Sequence, residues 1–429
     1  MSAAPPAIES DGGTWRRRRR RTGLLCAGML AVAGGCAATA VAISARRPVE
    51  QLRTTGGGGA PVKPSKPVGA GALVPAADLV SDPVFVTTRV GFALETSQHG
   101  YLAVERLARS DDGGRHWYVT GSPFPVPGDF TALQFISARK GYVFGESGLL
   151  VTSDSGVRWT QVASLNGTLQ RAIPIGENVW ATFTRCSGPP GVEQRCPVGL
   201  AISYDGGRHW DPVTDPPITE APSPAGGDIL ARYSSDEAYV ISYGPTGGGL
   251  AFTSDAGKTW SRLPDPCSRA WAQVDMAAPN PPGTLWLVCG AATSASGATR
   301  DLQAKVVYQS SDGGKRWTLM SSSGFAPGSP SPVGVLPLSG TVSQLATITS
   351  TTAWLGVGGL GVIVTFDSGR NWQLAAGFPD SAVFQSGSPP LPESVGVTFN
   401  NDFLGWAIEF RRGVWATTDG VHWHLLDGS

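Results

Sequence analysis

Short apolar runs recur along the chain, each bounded by Gly, Asp, Ser or Pro: Leu149-Leu150-Val151, Leu200-Ala201-Ile202, Leu250-Ala251-Phe252, Lys305-Val306-Val307-Tyr308 and Val362-Ile363-Val364. Runs of this length, rich in β-branched residues and closed by turn formers, predict buried or half-buried strands. Ahead of each lies a run carrying an aromatic, at Phe92, Tyr142, Trp180, Tyr239, Trp286, Trp354 and Trp406. Upstream again is a third, such as Leu133-Gln134-Phe135-Ile136 or Leu345-Ala346-Thr347-Ile348. The polar positions that close the runs are themselves periodic.

A Ser or Thr is followed at fixed offsets by Asp, Gly and Trp. The copies are Ser110/Asp112/Gly114/Trp117, Thr152/Asp154/Gly156/Trp159, Ser203/Asp205/Gly207/Trp210, Thr253/Asp255/Gly257/Trp260, Ser310/Asp312/Gly314/Trp317 and Thr365/Asp367/Gly369/Trp372. A seventh, Thr417/Asp419/Gly420/Trp423, is one residue short between Asp and Trp. Successive aspartates lie 42 to 57 residues apart, a period that signals a repeat architecture. Each box holds what a tight strand-turn-strand needs. Asp accepts hydrogen bonds from backbone N–H groups a residue or two ahead, Gly supplies a positive φ, and Trp opens the outgoing strand with a large surface to bury. Seven repeats of four short strands predict an all-β, seven-bladed β-propeller.

These boxes resemble those of the BNR, or Asp-box, repeat proteins. Ala353-Trp354-Leu355-Gly356-Val357-Gly358, followed by Gly361-Val362-Ile363-Val364-Thr365-Phe366-Asp367-Ser368-Gly369-Arg370-Asn371-Trp372, is most similar to the photosystem II assembly-factor type of propeller. More distantly the chain resembles sialidase-like and sortilin-type propellers. The resemblance covers roughly residues 75–429. It implies the fold, but the box occurs in hydrolases, receptors and assembly factors alike.

The first part of the chain is different. Arg16 to Arg21 precede Gly23–Ala45, 23 residues without a charged side chain, long enough to cross a bilayer as a helix. The arginines set the N-terminus in the cytoplasm. We expect an Arg-rich tail over 1–22, a signal-anchor helix over 23–45, a Gly/Pro-rich tether over 46–75 and the propeller over 76–429, outside the cytoplasm. A cleaved signal, with Arg20-Arg21-Thr22-Gly23-Leu24-Leu25 as a loose twin-arginine start, and a lipoprotein signal ending at Cys36 are the alternatives. Outside residues 1–47 the chain carries 25 basic and 31 acidic residues, which gives no electrostatic reason to bind nucleic acid.

Four cysteines remain in the propeller, and an exported domain favours disulfides. Cys186–Cys196 and Cys267–Cys289 are the expected pairs. No Cys-x-x-Cys or clustered His suggests a metal, and no cofactor is expected. The chain is expected to be a monomer.

In a blade the box closes the turn between strands three and four, so the loops joining strands two and three emerge on the opposite face. There the length varies most, at Arg185–Pro197 and Ala291–Gln303. Pro-rich connections over 215–227, 321–340 and 375–393 reach the same rim. Loops on a rigid scaffold are the usual carriers of binding. Arg185, Glu193, Arg195, Glu146 and Asp301 are the candidate binding residues for a protein or glycan. The box aspartates read as structural turns, and their face as inert.

The competing reading is a sialidase-like or other glycoside hydrolase. Two carboxylates would have to face each other across a sugar, yet Glu95, Glu105, Glu146, Glu193, Glu220 and Asp301 show no constellation. Arg171-Ala172-Ile173-Pro174 resembles the sialidase signature but sits in the third repeat and lacks the leading aromatic. The assembly-factor resemblance implies an arginine-lined patch. Here Arg115, Arg158, Arg208, Lys258, Lys315 and Arg370 form a ring among the boxes, where solvation or stacking on Trp is expected. His116, His209 and His422 beside box tryptophans read as turn surface. No catalytic residue is assigned.

Overall fold

The computed structural model describes residues 70–426, except 80, 96–105, 126–129, 146, 163–164, 166, 186–195, 221–226, 244–247, 268–270, 278–282, 292–301, 324–333, 379–394, 400–402 and 410–412. The expected membrane helix, its Arg-rich tail and most of the tether therefore lie outside the described residues, as do Cys186, Glu105, Glu146, Glu193, Arg195 and Asp301. Among the described residues no helix is long and apolar enough to cross a membrane.

Seven antiparallel sheets follow one another along the chain, spanning 84–120, 130–161, 168–212, 227–263, 271–322, 341–374 and 395–425. Each has four strands in sequence order. The second carries the predicted aromatic and the third ends at the box Ser or Thr. Second strands are buried along all or nearly all of their length, completely in Gly141–Gly145 and Ala353–Gly358, because sheets pack on both of their faces. The seven aromatics are all 4% exposed or less. They are core, as expected of such a position.

Blade one has a fifth strand. Ala70–Val74 pairs antiparallel on the outer strand Trp117–Thr120, with Leu73 opposite Tyr118 and Val74 opposite Trp117. The blade thus begins inside the segment expected to be tether. Blade three gains Thr219–Glu220, which pairs with Cys196–Pro197. All four strands of blade seven come from its own segment, so closure uses no exchanged strand. The ring is closed by packing: Phe85 of blade one stacks on Trp406 of blade seven at 3.8 Å, in one cluster with Val74, Leu79 and Leu426.

Neighbouring blades are also joined by polar handles on the second-strand aromatics. Trp406 Nε1 donates to the Gly113 carbonyl at 3.0 Å, Trp354 Nε1 to Gly420 at 2.7 Å and Tyr239 Oη to Gly313 at 3.3 Å. Each reaches the box of the next blade. Cys267 and Cys289 form the expected disulfide, fastening the connection before blade five to that blade's second strand. Cys196 is also disulfide-bonded.

Candidate functional site

The boxes are built differently from the expectation. The Ser or Thr hydroxyl is the hub: Thr152 Oγ1 donates to Asp154 Oδ1 at 3.0 Å and accepts the N–H of Gly156 at 2.9 Å. In the six longer boxes the Asp reaches further forward than one or two residues, while in box seven Asp419 Oδ1 also accepts the N–H of Val421, two residues on, at 2.9 Å. Asp154 Oδ1 accepts the N–H of Arg158, four residues on, at 2.9 Å, and box seven, being shorter, closes on His422 three residues on at 2.7 Å. Its second oxygen meets the side chain before the Trp in every copy: His116, Arg158, His209, Thr259, Arg316, Asn371 and His422. That position is an extra box element that no motif in the sequence marked, since its residue types share only the ability to donate.

The box glycines also do more than turn the chain. Gly114 and Gly314 are each the second of two consecutive residues at positive φ, not a lone turn position: Gly113 and Gly114 have +82° and +92°, Gly313 and Gly314 +72° and +84°. Boxes two, four and six place Ser155, Ala256 and Ser368 at the first of these positions, so the second is the one that demands glycine. The reason is packing as much as φ. Gly114 and Gly314 are buried and donate their N–H groups to Ser110 and Ser310 Oγ, both at 2.8 Å. A Cβ on Gly114 would lie 3.1 Å from both Phe85 and Leu426, and one on Gly314 would lie 3.0 Å from Leu263 of the preceding blade.

The tryptophans depart from expectation too. Trp117 and Trp423 are buried, but Trp159, Trp210, Trp260, Trp317 and Trp372 are half-buried. The basic ring does not stack on them. Arg115 and Arg208 turn back to the carbonyls of Asp112 and Asp205, and Arg158 to the Asp154 carboxylate. Among the described residues the guanidinium–ring pairs are Arg109 with Phe92, Arg185 with Phe183 and Arg232 with Trp180.

These bonds hold the box carboxylates ionised. Hydrogen bonds from Thr259 keep Asp255 at about 2, and those from Arg316 keep Asp312 at about 2. The backbone N–H and ring of His209 hold Asp205 well below the usual range. In Asp419 partial burial opposes the His422 bonds, which still bring it to about 2.

The box face carries a cleft of about 710 Å³ between blades two and three. Its walls are the strand-one-to-two turn of blade two (Arg139, Lys140), the second box, the outer-strand residues Thr160 and Gln161 with Val162 after them, and Gly206, Gly207 and Arg208 of the third box. Gly206 and Gly207 have φ of +74° and +91° and are buried, with Gly206 under the Lys140–Glu177 pair and Gly207 against Val151 and Val162. Four cations line it against one carboxylate, Asp154. Lys140 pairs with Glu177 and Arg158 with Asp154, while Arg139 and Arg208 have no carboxylate partner among the described residues. The sequence reading takes this face as inert; the glycines and arginines of two different repeats meet there only in three dimensions.

A second pocket, about 350 Å³, is lined by first strands and holds Asp82, Arg171 and Asp275. Crowding by protein pushes Asp82 up to about 6, helped by the Asp275 charge and opposed by Arg171, although its side chain still meets solvent. Burial likewise pushes Asp275 to about 6. Asp275 is committed to the scaffold. Its Oδ2 accepts the Leu345 N–H of the next blade at 2.6 Å and its Oδ1 the Met276 N–H at 2.9 Å. Gln344 Oε1 does the same for Val397 N–H at 2.6 Å, and Ser343 Oγ for Val395 N–H at 3.1 Å. First strands are sheet edges, and these side chains satisfy their unpaired donors. The pocket therefore offers one uncommitted carboxyl, Asp82, where glycoside hydrolysis uses two.

Of the candidate binding residues only Arg185 is described. It lies at the end of strand two of blade three, ion-paired with Asp215 at 2.5 Å and set over Phe183. Of the carboxylates weighed for hydrolysis, Glu95 is buried at the end of strand two of blade one, away from any open pocket wall described above. Arg171 does reach a pocket, where it meets Asp82 and Asp275, with Tyr243 also in the lining.

No family model matches the chain. The photosystem II assembly lipoprotein Ycf48 of Synechococcus sp. (strain CC9902) is 29% identical over 196 residues, covering 44% of this chain and 53% of that protein. The chain thus spans about half the length of that curated relative. Among solved structures, YCF48 bound to D1 peptide superposes with a TM-score of 0.52 at 17% identity, covering 81% of this chain and 95% of that one. YCF48 from Cyanidioschyzon merolae gives 0.52 at 14%, covering 82% and 99%. An ancestral GH74 enzyme gives 0.53 at 13%, covering 83% of this chain and 48% of that one. The structural likenesses concern the fold. The chain is a seven-bladed Asp-box β-propeller, similar over part of its sequence to the Ycf48 assembly lipoprotein.

Proposed function

We propose that this protein is a non-catalytic binding scaffold for a protein partner, of the assembly-factor kind, held outside the cytoplasm by its N-terminal apolar segment. The observation that carries this reading is the cleft between blades two and three. It is an open groove on box and hairpin turns, with cations in excess of carboxylates along its walls. An acidic, extended stretch of protein fits such a surface. One similar propeller, YCF48, has been solved bound to D1 peptide, which supports peptide binding by propellers of this shape. Arg185 with Asp215, at the end of strand two of blade three, is a second candidate surface for protein or glycan.

The hydrolase reading retains one specific observation, the raised carboxyls of Asp82 and Asp275. Both readings meet in one experiment on the full chain. Titration calorimetry with hexaglutamate is expected to show binding that weakens with salt and is lost in an Arg139→Glu/Arg208→Glu double variant. Fluorogenic sialosides and glucosides are expected to be left intact by the same sample. Turnover that disappears in Asp82→Asn would replace the scaffold reading with the hydrolase one. Membrane tethering is tested separately by fractionating cells expressing the chain with and without residues 1–45.

A further inference from the structure

The cleft between blades two and three already holds a carboxylate of its own, and this inference rests on the binding reading above. Ile175 and Asn178 pair across a two-residue hairpin turn, Gly176-Glu177, that joins the first two strands of blade three. From that turn the Glu177 carboxylate reaches Lys140, in the corresponding turn of blade two. The main chain of both turns is tied to a box. The Glu177 carbonyl accepts the Gly206 N–H at 2.8 Å, and the Arg139 carbonyl accepts the Ser155 N–H, also at 2.8 Å. Ser137 Oγ in turn accepts the Lys140 N–H at 3.0 Å.

Glu177 differs from Asp154, the carboxylate in the cleft wall. Asp154 accepts the Arg158 N–H at 2.9 Å and the Thr152 hydroxyl at 3.0 Å, so its carboxylate holds a turn together. The Glu177 carboxylate takes no main-chain donor, and Lys140 is its hydrogen-bonding partner among the described residues. Its side chain is 58% exposed. A pair this exposed opens at little cost, because water solvates the separated charges almost as well. Gly206 makes room for it: a Cβ there would collide with Lys140 Nζ and Glu177 Oε2. The same position of the fourth box accepts Ala256 at a φ of +58°. The glycine therefore answers to the ion pair rather than to the turn.

We infer that Glu177 is an internal competitor for the cleft: an acidic side chain of the partner displaces it from Lys140 and takes its place over Gly206. Glu177 then turns to solvent, and Lys140 joins Arg139 and Arg208 in holding the partner. A tethered carboxylate competes at a high effective concentration. A segment with several acidic side chains outcompetes it and a single carboxylate does not, so Glu177 sets selectivity by excluding weak ligands.

The test measures hexaglutamate binding to the full chain by titration calorimetry at low salt. Glu177→Gln is expected to tighten binding about two- to fivefold, the worth of an exposed ion pair. Two further variants separate displacement from a mere change in net charge. Glu177→Gln is expected to make no difference when combined with Lys140→Gln, or with Gly206→Ala, whose methyl group occupies the place of the carboxylate. A gain that persists in either combination would overturn displacement in favour of net charge. Wild-type binding with no gain in Glu177→Gln would overturn it while leaving the acidic-cleft reading intact. Binding seen only in Glu177→Gln would support it, and binding by neither protein would overturn both readings.

Discussion

Thr253 Oγ1 accepts the N–H of Gly257 at 3.0 Å while donating to Asp255 Oδ1 at 2.8 Å, so a single hydroxyl ties the turn together. Replacing it by valine keeps the shape, strands the buried Gly257 N–H and leaves Asp255 Oδ1 with only the Thr259 N–H. Thr253→Val is expected to cost about 1–3 kcal/mol in denaturant unfolding. The second-strand tryptophans allow a paired comparison. Trp354 Nε1 reaches the Gly420 carbonyl at 2.7 Å, whereas Trp286 Nε1 is buried with no hydrogen-bond partner. Both lose similar apolar volume on change to phenylalanine, so Trp354→Phe is expected to cost about 1 kcal/mol more than Trp286→Phe. Equal losses would show that the interblade bond contributes nothing.

Two sets of carboxyls respond to pH in opposite senses. Asp255, Asp312 and Asp419 are held at about 2, below the 3.8 of an unperturbed Asp. The unfolded chain takes up their protons first, so their stabilisation is complete above about pH 4 and is lost as pH falls through 2. Asp82 and Asp275 are raised to about 6. The folded state holds their protons longer, so their contribution is present below about pH 4 and is lost as pH rises through 6. Urea melts at stepped pH are expected to show stability falling between about pH 4 and 6, and Asp82→Asn is expected to flatten that fall. An unchanged slope would mean that Asp82 titrates normally.

At the scale of elements, the edge strand Ala70–Val74 shows where composition misleads. The residues around it are rich in Gly and Pro, which read as tether, yet Val74 is buried against Trp117 and Leu79 at the seam of the ring. A chain beginning at residue 76 would expose the outer strand of blade one and lose that contact. It is expected to be about 2–4 kcal/mol less stable than one beginning at Val62, where the compact unit starts. Calorimetric melting points that coincide would assign the strand no role. The second and third strands, by contrast, were legible from apolar runs and box spacing alone. Their pattern is local, and each is flanked by residues that can only turn.

For the whole molecule, closure depends on contacts between residues far apart in sequence. Phe85→Ala removes the ring stacked on Trp406 and is expected to cost about 3–5 kcal/mol, with unfolding still in one transition. A second, separate transition would show that blades one and seven part before the rest.

The repeat period and the box chemistry determined the all-β fold, the number of blades, the strand order within each and the burial of the seven aromatics. Those properties follow from local rules: turn residues, strand periodicity and one apolar position per strand. The disulfide between Cys267 and Cys289 was legible for the same reason, since both belong to one repeat. What only the tertiary structure decided is which residues of different repeats become neighbours. Gly314 packs beneath Leu263 of the blade before it, Arg139 and Arg208 share a cleft, and Asp82 joins Asp275 and Arg171. Val335 bridges Ser322 of blade five and Asn371 of the sixth box. A periodic sequence specifies each blade almost identically. The differences that make a site arise where loops and connections of unequal length fold back on a nearly regular ring.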